Sequence, residues 1–182
     1  MTDKIKQLIK DAQNGDSHSF HQLVALHDEK IMVLAYQLMK NKQDAEDLYQ
    51  DAFVKAYNNI RSFRFESSFY TWLYRITVNT ALNMKRKMSR MRTQEPIENY
   101  DPIENIPEPV STNKRGEINR AIKAATNELP EKQRTAFILK YLQDLKIKDV
   151  SAIMGISEGT VKKYLFRAME KMRIQLKEYR YV

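Results

Sequence analysis

Cysteine is absent from the 182 residues, which excludes disulfides and thiolate metal sites and points to a reducing compartment. Glycine occurs only four times and proline five times. Strand-like alternation of β-branched residues is nearly absent. No apolar run approaches the roughly 18 residues of a membrane span. The opening MTDKIKQLIKDAQ lacks the apolar core of a signal peptide, so a cytoplasmic protein is expected. There is no glycine-rich phosphate loop and no nucleophile–base signature, so neither a cofactor nor an enzymatic activity is expected.

Cations are what the chain has in excess. Lys plus Arg number 31 against 23 for Asp plus Glu, a formal net charge of +8. Such an excess suits a polyanionic partner, because each cation set near a phosphate releases a condensed counterion. Their distribution is uneven. The segment from Gln94 to Asn113 holds four of the five prolines, five acidic residues and no basic one. Without apolar periodicity, it reads as an extended acidic tether.

On either side of this segment, apolar residues recur at spacings of three and four, the signature of helices. The expected fold is therefore all-α, with two small helical domains, residues 1–93 and 117–182, joined by a linker over 94–116. In the first domain, Ile5, Leu8 and Ile9 share one helical face. Asp16 caps a second helix through Phe20, Leu23, Val24 and onward. A third runs from about Asp44 to Asn59 and buries Leu48, Ala52, Phe53 and Ala56. After a turn near Ser62 to Ser68, FYTWLYRITVNTALN (Phe69 to Asn83) forms a fourth, with Trp72, Leu73, Ile76 and Leu82 at core spacing.

The second domain carries DVSAIMGISEGTVKKYLFRA (Asp149 to Ala168), which has the layout of a helix-turn-helix. A short helix with Val150 and Ile153 ends at Gly155, where a left-handed backbone is cheapest for glycine. Ser157 caps the next helix, whose Val161, Leu165, Ala168 and Met172 face the core. Thr160, Lys162, Lys163, Phe166 and Arg167 then point outward, where a recognition helix meets the major groove. Leu129, Phe137, Leu139 and Tyr141 are read as packing residues in the helices before it, with Pro130 at a helix start.

Taken together, the two halves resemble a known family. LPEKQRTAFILKYLQDLKIKDVSAIMGISEGTVKKYLFRAMEKM is similar to region 4 of the bacterial sigma-70 family, and Asp44 to Asn83 resembles region 2. Only these two regions are present, which resembles the extracytoplasmic function group and, in FYTWLYRITVNTALN, its sigma-E type. The resemblance implies a dissociable initiation subunit that binds core RNA polymerase and recognises −35 and −10 elements of promoter DNA. It would assist melting without catalysing a reaction.

The resemblance also implies residue roles. The −10 pocket would be the loop Phe63, Arg64, Phe65, Glu66, Ser67 and Ser68, followed by Arg75, Asn79 and Asn83. Asn79 and Asn83 lie four apart on one face, and their amides can donate to and accept from a base edge at once. Lys85, Arg86 and Lys87, with Arg90 and Arg92 beyond, would follow the DNA backbone. Thr160, Lys162, Lys163, Phe166 and Arg167 would read the −35 element. Asp44, Asp47, Gln50 and Asp51 would dock on a basic coiled coil of the polymerase, although acids in a first helical turn also favour the helix dipole. The acidic linker would thread toward the polymerase active site and RNA exit path. An anti-sigma factor or another controller is an expected partner.

Three departures from the family stand out. Phe65 occupies a position where glycine is frequent, Lys163-Tyr164 replaces a frequent Ser-Arg, and Ser151 replaces a small alanine. They imply a reshaped pocket wall and a shifted −35 preference. His18, His21 and His27 could suggest a metal, but a solvated surface is expected instead. The competing reading is a stand-alone helix-turn-helix regulator, which leaves the first domain's DAEDL and TWLYRI text without a purpose.

Overall fold

A computed structural model describes residues 2–39, 41–94 and 114–177. The chain divides into two compact units, Met1–Pro102 and Ile103–Val182. Among the described residues every regular element is helical. The acidic tether read over 94–116 lies mostly outside the described residues. Helix nevertheless begins at Lys114 rather than at residue 117.

The first unit contains α1 (Asp3–Gln13), α2 (Ser17–Ala25), α3 (Asp28–Leu38), α4 (Lys42–Asn59), a 3₁₀ turn (Ile60–Ser62) and α5 (Phe69–Gln94). Helix α1 packs on α2 and on the 3₁₀ turn, while α3, α4 and α5 pack on one another. Asp16 starts α2: its carboxylate accepts from the His18 and Ser19 N–H groups at 3.0 and 3.3 Å. The Ser19 hydroxyl donates to the same group at 2.6 Å and holds its pKa below the usual carboxylate value. Leu23, Ile31, Leu34, Leu48 and Leu73 are fully buried. Each such side chain contributes about 1.5–3 kcal/mol through removal from water.

Three details differ from the sequence reading. The helix expected to run on from Asp16 stops at Leu26, and α3 restarts after His27, whose backbone (φ −125°, ψ −3°) leaves the helical range. Asp28 and Glu29 then occupy the first turn of α3, where acids complement the helix dipole. Phe53 is half-buried and stacks edge-on against Tyr49. On α5 the deeply buried stripe is Leu73, Tyr74, Thr77, Val78 and Ala81, whereas Trp72, Ile76 and Leu82 flank it half-buried. The buried face is turned by about one residue, because Tyr74 and Thr77 can both be satisfied inside. Thr77 bonds back to the Leu73 carbonyl at 3.0 Å, and the Tyr74 phenol, pushed far up by burial, is hydrogen-bonded to Tyr70.

The second unit contains α6 (Lys114–Asn127), α7 (Glu131–Phe137), a π-helical turn (Ile138–Leu142), α8 (Ile147–Met154) and α9 (Glu158–Gln175). Ala125, Leu129, Phe137, Ala168 and Met172 form one core cluster, flanked by Ile122 and Leu176. After the π turn the Leu145 N–H reaches the Leu139 carbonyl at 3.1 Å, and Asp144 reverses the chain at φ +50°. This unwinding lifts Tyr141 to 48% exposure, so it lies on the surface with its ring 5.0 Å from Phe137 instead of inside the core.

Candidate nucleic-acid interface

In the second unit the site is built by two caps. Gly155 ends α8 at φ +64°, and the Ile156 N–H returns to the Ser151 carbonyl at 3.2 Å. The Ser151 hydroxyl donates to the Ile156 carbonyl at 2.5 Å, so the serine that departs from the family pattern ties the turn from both sides. Ser157 Oγ then accepts the Thr160 N–H at 3.2 Å and opens α9. Val161, Leu165, Ala168 and Met172 are buried, as their spacing predicts. Lys162, Lys163, Phe166 and Arg167 are exposed, Phe166 at 65%. They form two pairs at i, i+4 on the outer face of α9. Thr160 is half-buried, with its hydroxyl engaged by Ser157 at 2.9 Å, and belongs to the cap more than to the outer face.

In the first unit the loop after the 3₁₀ turn is held by aromatic rings. Phe63 is 4% exposed and packs 5.0 Å from Phe65, 5.9 Å from Phe69 and 5.3 Å from Trp72, ring centre to ring centre. Phe65 is 37% exposed and has φ +60°, a left-handed backbone that is uncommon for a bulky residue. The position where the resemblance makes glycine frequent is thus one where the backbone itself favours glycine. Arg64, Glu66 and Ser67 are exposed. Ser68 closes the loop by capping α5, its Oγ accepting the Thr71 N–H at 3.0 Å.

Arg75, Asn79 and Asn83 are all exposed and continue along α5 into Arg86 and Arg90, so they share one stripe. Lys85, Arg86 and Lys87 do not act as one strip, because successive helical residues fan out by about 100°. Lys85 is half-buried, Arg86 follows the stripe, and Lys87 faces α4. The Arg92 side chain lies outside the described residues.

Between α4 and α5 runs a groove of about 550 Å³, with Asp47, Gln50, Asp51 and Lys55 on one wall. Asn83, Met84, Lys87, Met88 and Met91 stand on the other. Asp47, Gln50 and Asp51, which sequence reasoning assigned to the polymerase, therefore stand beside Asn83, assigned to DNA. Asp44 is set apart: it is half-buried, with its backbone N–H and carboxylate both bonded to the Asn41 side chain at 2.7 Å.

One residue escaped the sequence reading and another was misplaced by it. Gln13, at the end of α1, donates from Nε2 to the Ile60 and Phe63 carbonyls at 3.0 and 2.8 Å. Nothing in the sequence signals a contact across 50 positions. His27 is half-buried against Phe69 and Tyr70, at 5.4 and 6.1 Å, so it is not part of a solvated surface as expected. Burial, aided by the nearby Lys30 charge, lowers its pKa. Among the described residues no cluster of three metal-binding side chains occurs.

Comparison with known proteins places this architecture. Residues 23–91 match the family model for sigma-70 region 2, and residues 119–172 match that for sigma-70 region 4. The ECF RNA polymerase sigma-E factor of Haemophilus influenzae is 37% identical over 171 residues, covering 90% of each chain. The chain belongs to the ECF sigma factors of the sigma-70 family. SigW of Bacillus subtilis, also an ECF sigma factor, is 34% identical over 96% of this chain and 97% of its own. Among solved structures, the sigma factor RpoE in complex with the anti-sigma factor NepR from Bartonella quintana superposes with a TM-score of 0.73. That match is 28% identical and covers 87% of this chain and 96% of the other. As an ECF sigma factor, the chain is a promoter-recognising subunit for transcription initiation.

Proposed function

We propose that this sigma factor directs core RNA polymerase to two-part promoters through the surfaces described above. The outer face of α9 reads the −35 element, and the loop at 63–68 together with the Arg75–Asn79–Asn83 stripe receives the −10 strand. The observation that carries this reading is the exposed Phe65 ring, packed 5.0 Å from a buried Phe63 in the loop that leads into α5, the helix bearing the exposed Arg75, Asn79 and Asn83. Flipping a base out of the stack costs a few kcal/mol. Stacking on an aromatic face returns about 1–3 kcal/mol, and the two amides add base-edge hydrogen bonds. Phe63 supports Phe65 and does not itself meet DNA. Lys162 and Arg167 donate to base edges or phosphate, and Lys163 supplies charge without arginine's bidentate fork.

Asp47, Gln50 and Asp51 are the residues proposed to dock on the polymerase, with Asp44 kept for the cap of α4. The acidic segment within 94–116 tethers the two units and, by its charge, suits the path of RNA. The factor performs no catalysis of its own and works in the cytoplasm. Among its described residues no helix is long and apolar enough to cross a membrane. An anti-sigma factor, such as the one bound to the Bartonella relative, is the proposed controller.

Run-off transcription with core enzyme from the source organism, on a library randomised upstream of the start site, tests the reading. The expected product is a pair of enriched sequence blocks near −35 and −10. Transcripts no richer in any sequence than those from core enzyme alone would sink it.

A further inference from the structure

We propose that Gln13 is a positioning residue for the −10 pocket, an inference that rests on the promoter reading above. It stands on α1, ahead of the residues matched by the region 2 model, and is part-buried at the end of that helix. A single amide nitrogen bridges two carbonyls: those of Ile60, which opens the 3₁₀ turn, and of Phe63, which leaves it. The Phe63 N–H already closes the turn on the Ile60 carbonyl at 3.0 Å. The Gln13 amide adds the complementary restraint, fixing the direction of the peptide that leads into Arg64.

This restraint falls at the entry to the part of the loop that has least support of its own. Arg64, Glu66 and Ser67 are exposed, and Phe65 is in the left-handed region. The loop is pinned at its far end by Ser68 and Thr71, and at its near end by the buried Phe63 ring and by Gln13. The seat of Phe63 sets where the Phe65 ring lies, since the two rings pack at 5.0 Å. Anchoring of α1 itself is supplied by buried Leu8, Ile9 and Ala12. The amide is thus directed at the loop, whereas the apolar face holds the helix.

The test uses holoenzyme and the randomised promoter library, comparing wild type with Gln13→Glu and Gln13→Met. Glu keeps the size and places an acceptor against two carbonyls, while Met removes the donor without adding charge. Both variants are expected to flatten the base preference at the captured −10 position about tenfold while leaving the −35 preference within about twofold. An unchanged −10 profile in both variants would overturn the proposal. Equal loss at −10 and −35 would also overturn it, because the amide would then serve the fold in general. A wild-type enzyme that yields no two-part profile defeats the promoter reading itself, and the role of Gln13 falls with it.

Discussion

At the scale of single residues, Phe65 combines two opposed effects. Its left-handed backbone costs about 1–2 kcal/mol, and its ring contact with Phe63 returns about 0.5–1.5 kcal/mol. Phe65→Ala loses the ring and keeps the strained Cβ, whereas Phe65→Gly loses both. Chemical denaturation of the two variants is therefore expected to find Ala less stable than Gly by about 1 kcal/mol, the reverse of their usual order. The family resemblance made position 65 visible in the sequence, but the backbone conformation that explains it required the fold. His27 offers a second test. Its folded pKa is lowered from 6.5 by burial, so the unfolded chain binds its proton more readily. Stability from this group is complete above about pH 6.5 and falls as pH drops below that value. Unfolding midpoints measured at about pH 7 and pH 5.5 are expected to differ less in His27→Gln than in wild type. An equal difference in both would mean that His27 does not titrate in this way.

At the scale of elements, the helix-turn-helix was legible because its signals are local. Gly155, Ser157 and the Val161–Leu165–Ala168–Met172 stripe each act within a few residues, so sequence spacing is enough to place them. The break at His27, the π turn at Ile138–Leu142 and the burial of Tyr74 in place of Trp72 were not legible. Each depends on what the neighbouring helix presents, and hydrophobic periodicity alone leaves a helix face uncertain by about one residue. The same locality yields a prediction for the turn. Gly155→Ala forces a Cβ into the left-handed region at a cost of about 1–2 kcal/mol, and Ser151→Ala removes a bond worth about 1 kcal/mol. Hydrogen exchange should quicken in α8 and the first turns of α9 in both variants, while α4 and α5 keep their protection. Faster exchange spread evenly over both units would contradict a turn that serves only the second unit.

At the scale of the whole molecule, two compact units carry separate exposed cations, Arg75 and Arg86 in the first, Lys162 and Arg167 in the second, and the proposed function turns both sets toward DNA. The sequence shows the net charge and both basic stretches, yet not how the first unit divides them. Lys87 lines the groove beside Asp47 and Asp51, so part of the basic run adjoins acidic residues proposed to meet the polymerase. Neutralising a phosphate-facing cation should lower the slope of log K against log salt by about 0.9. For holoenzyme on a fixed promoter, Arg86→Gln and Lys162→Gln are each expected to lower that slope by about one, and the double variant by about two. Changes at sites this independent should add. Lys87→Gln is expected to leave the slope nearly unchanged, because its side chain lines the groove that also holds the carboxylates of Asp47 and Asp51. A slope lowered as much by Lys87→Gln as by Arg86→Gln would mean that the phosphate path crosses the groove, and the proposed polymerase-docking role of Asp47 and Asp51 would then have to give way.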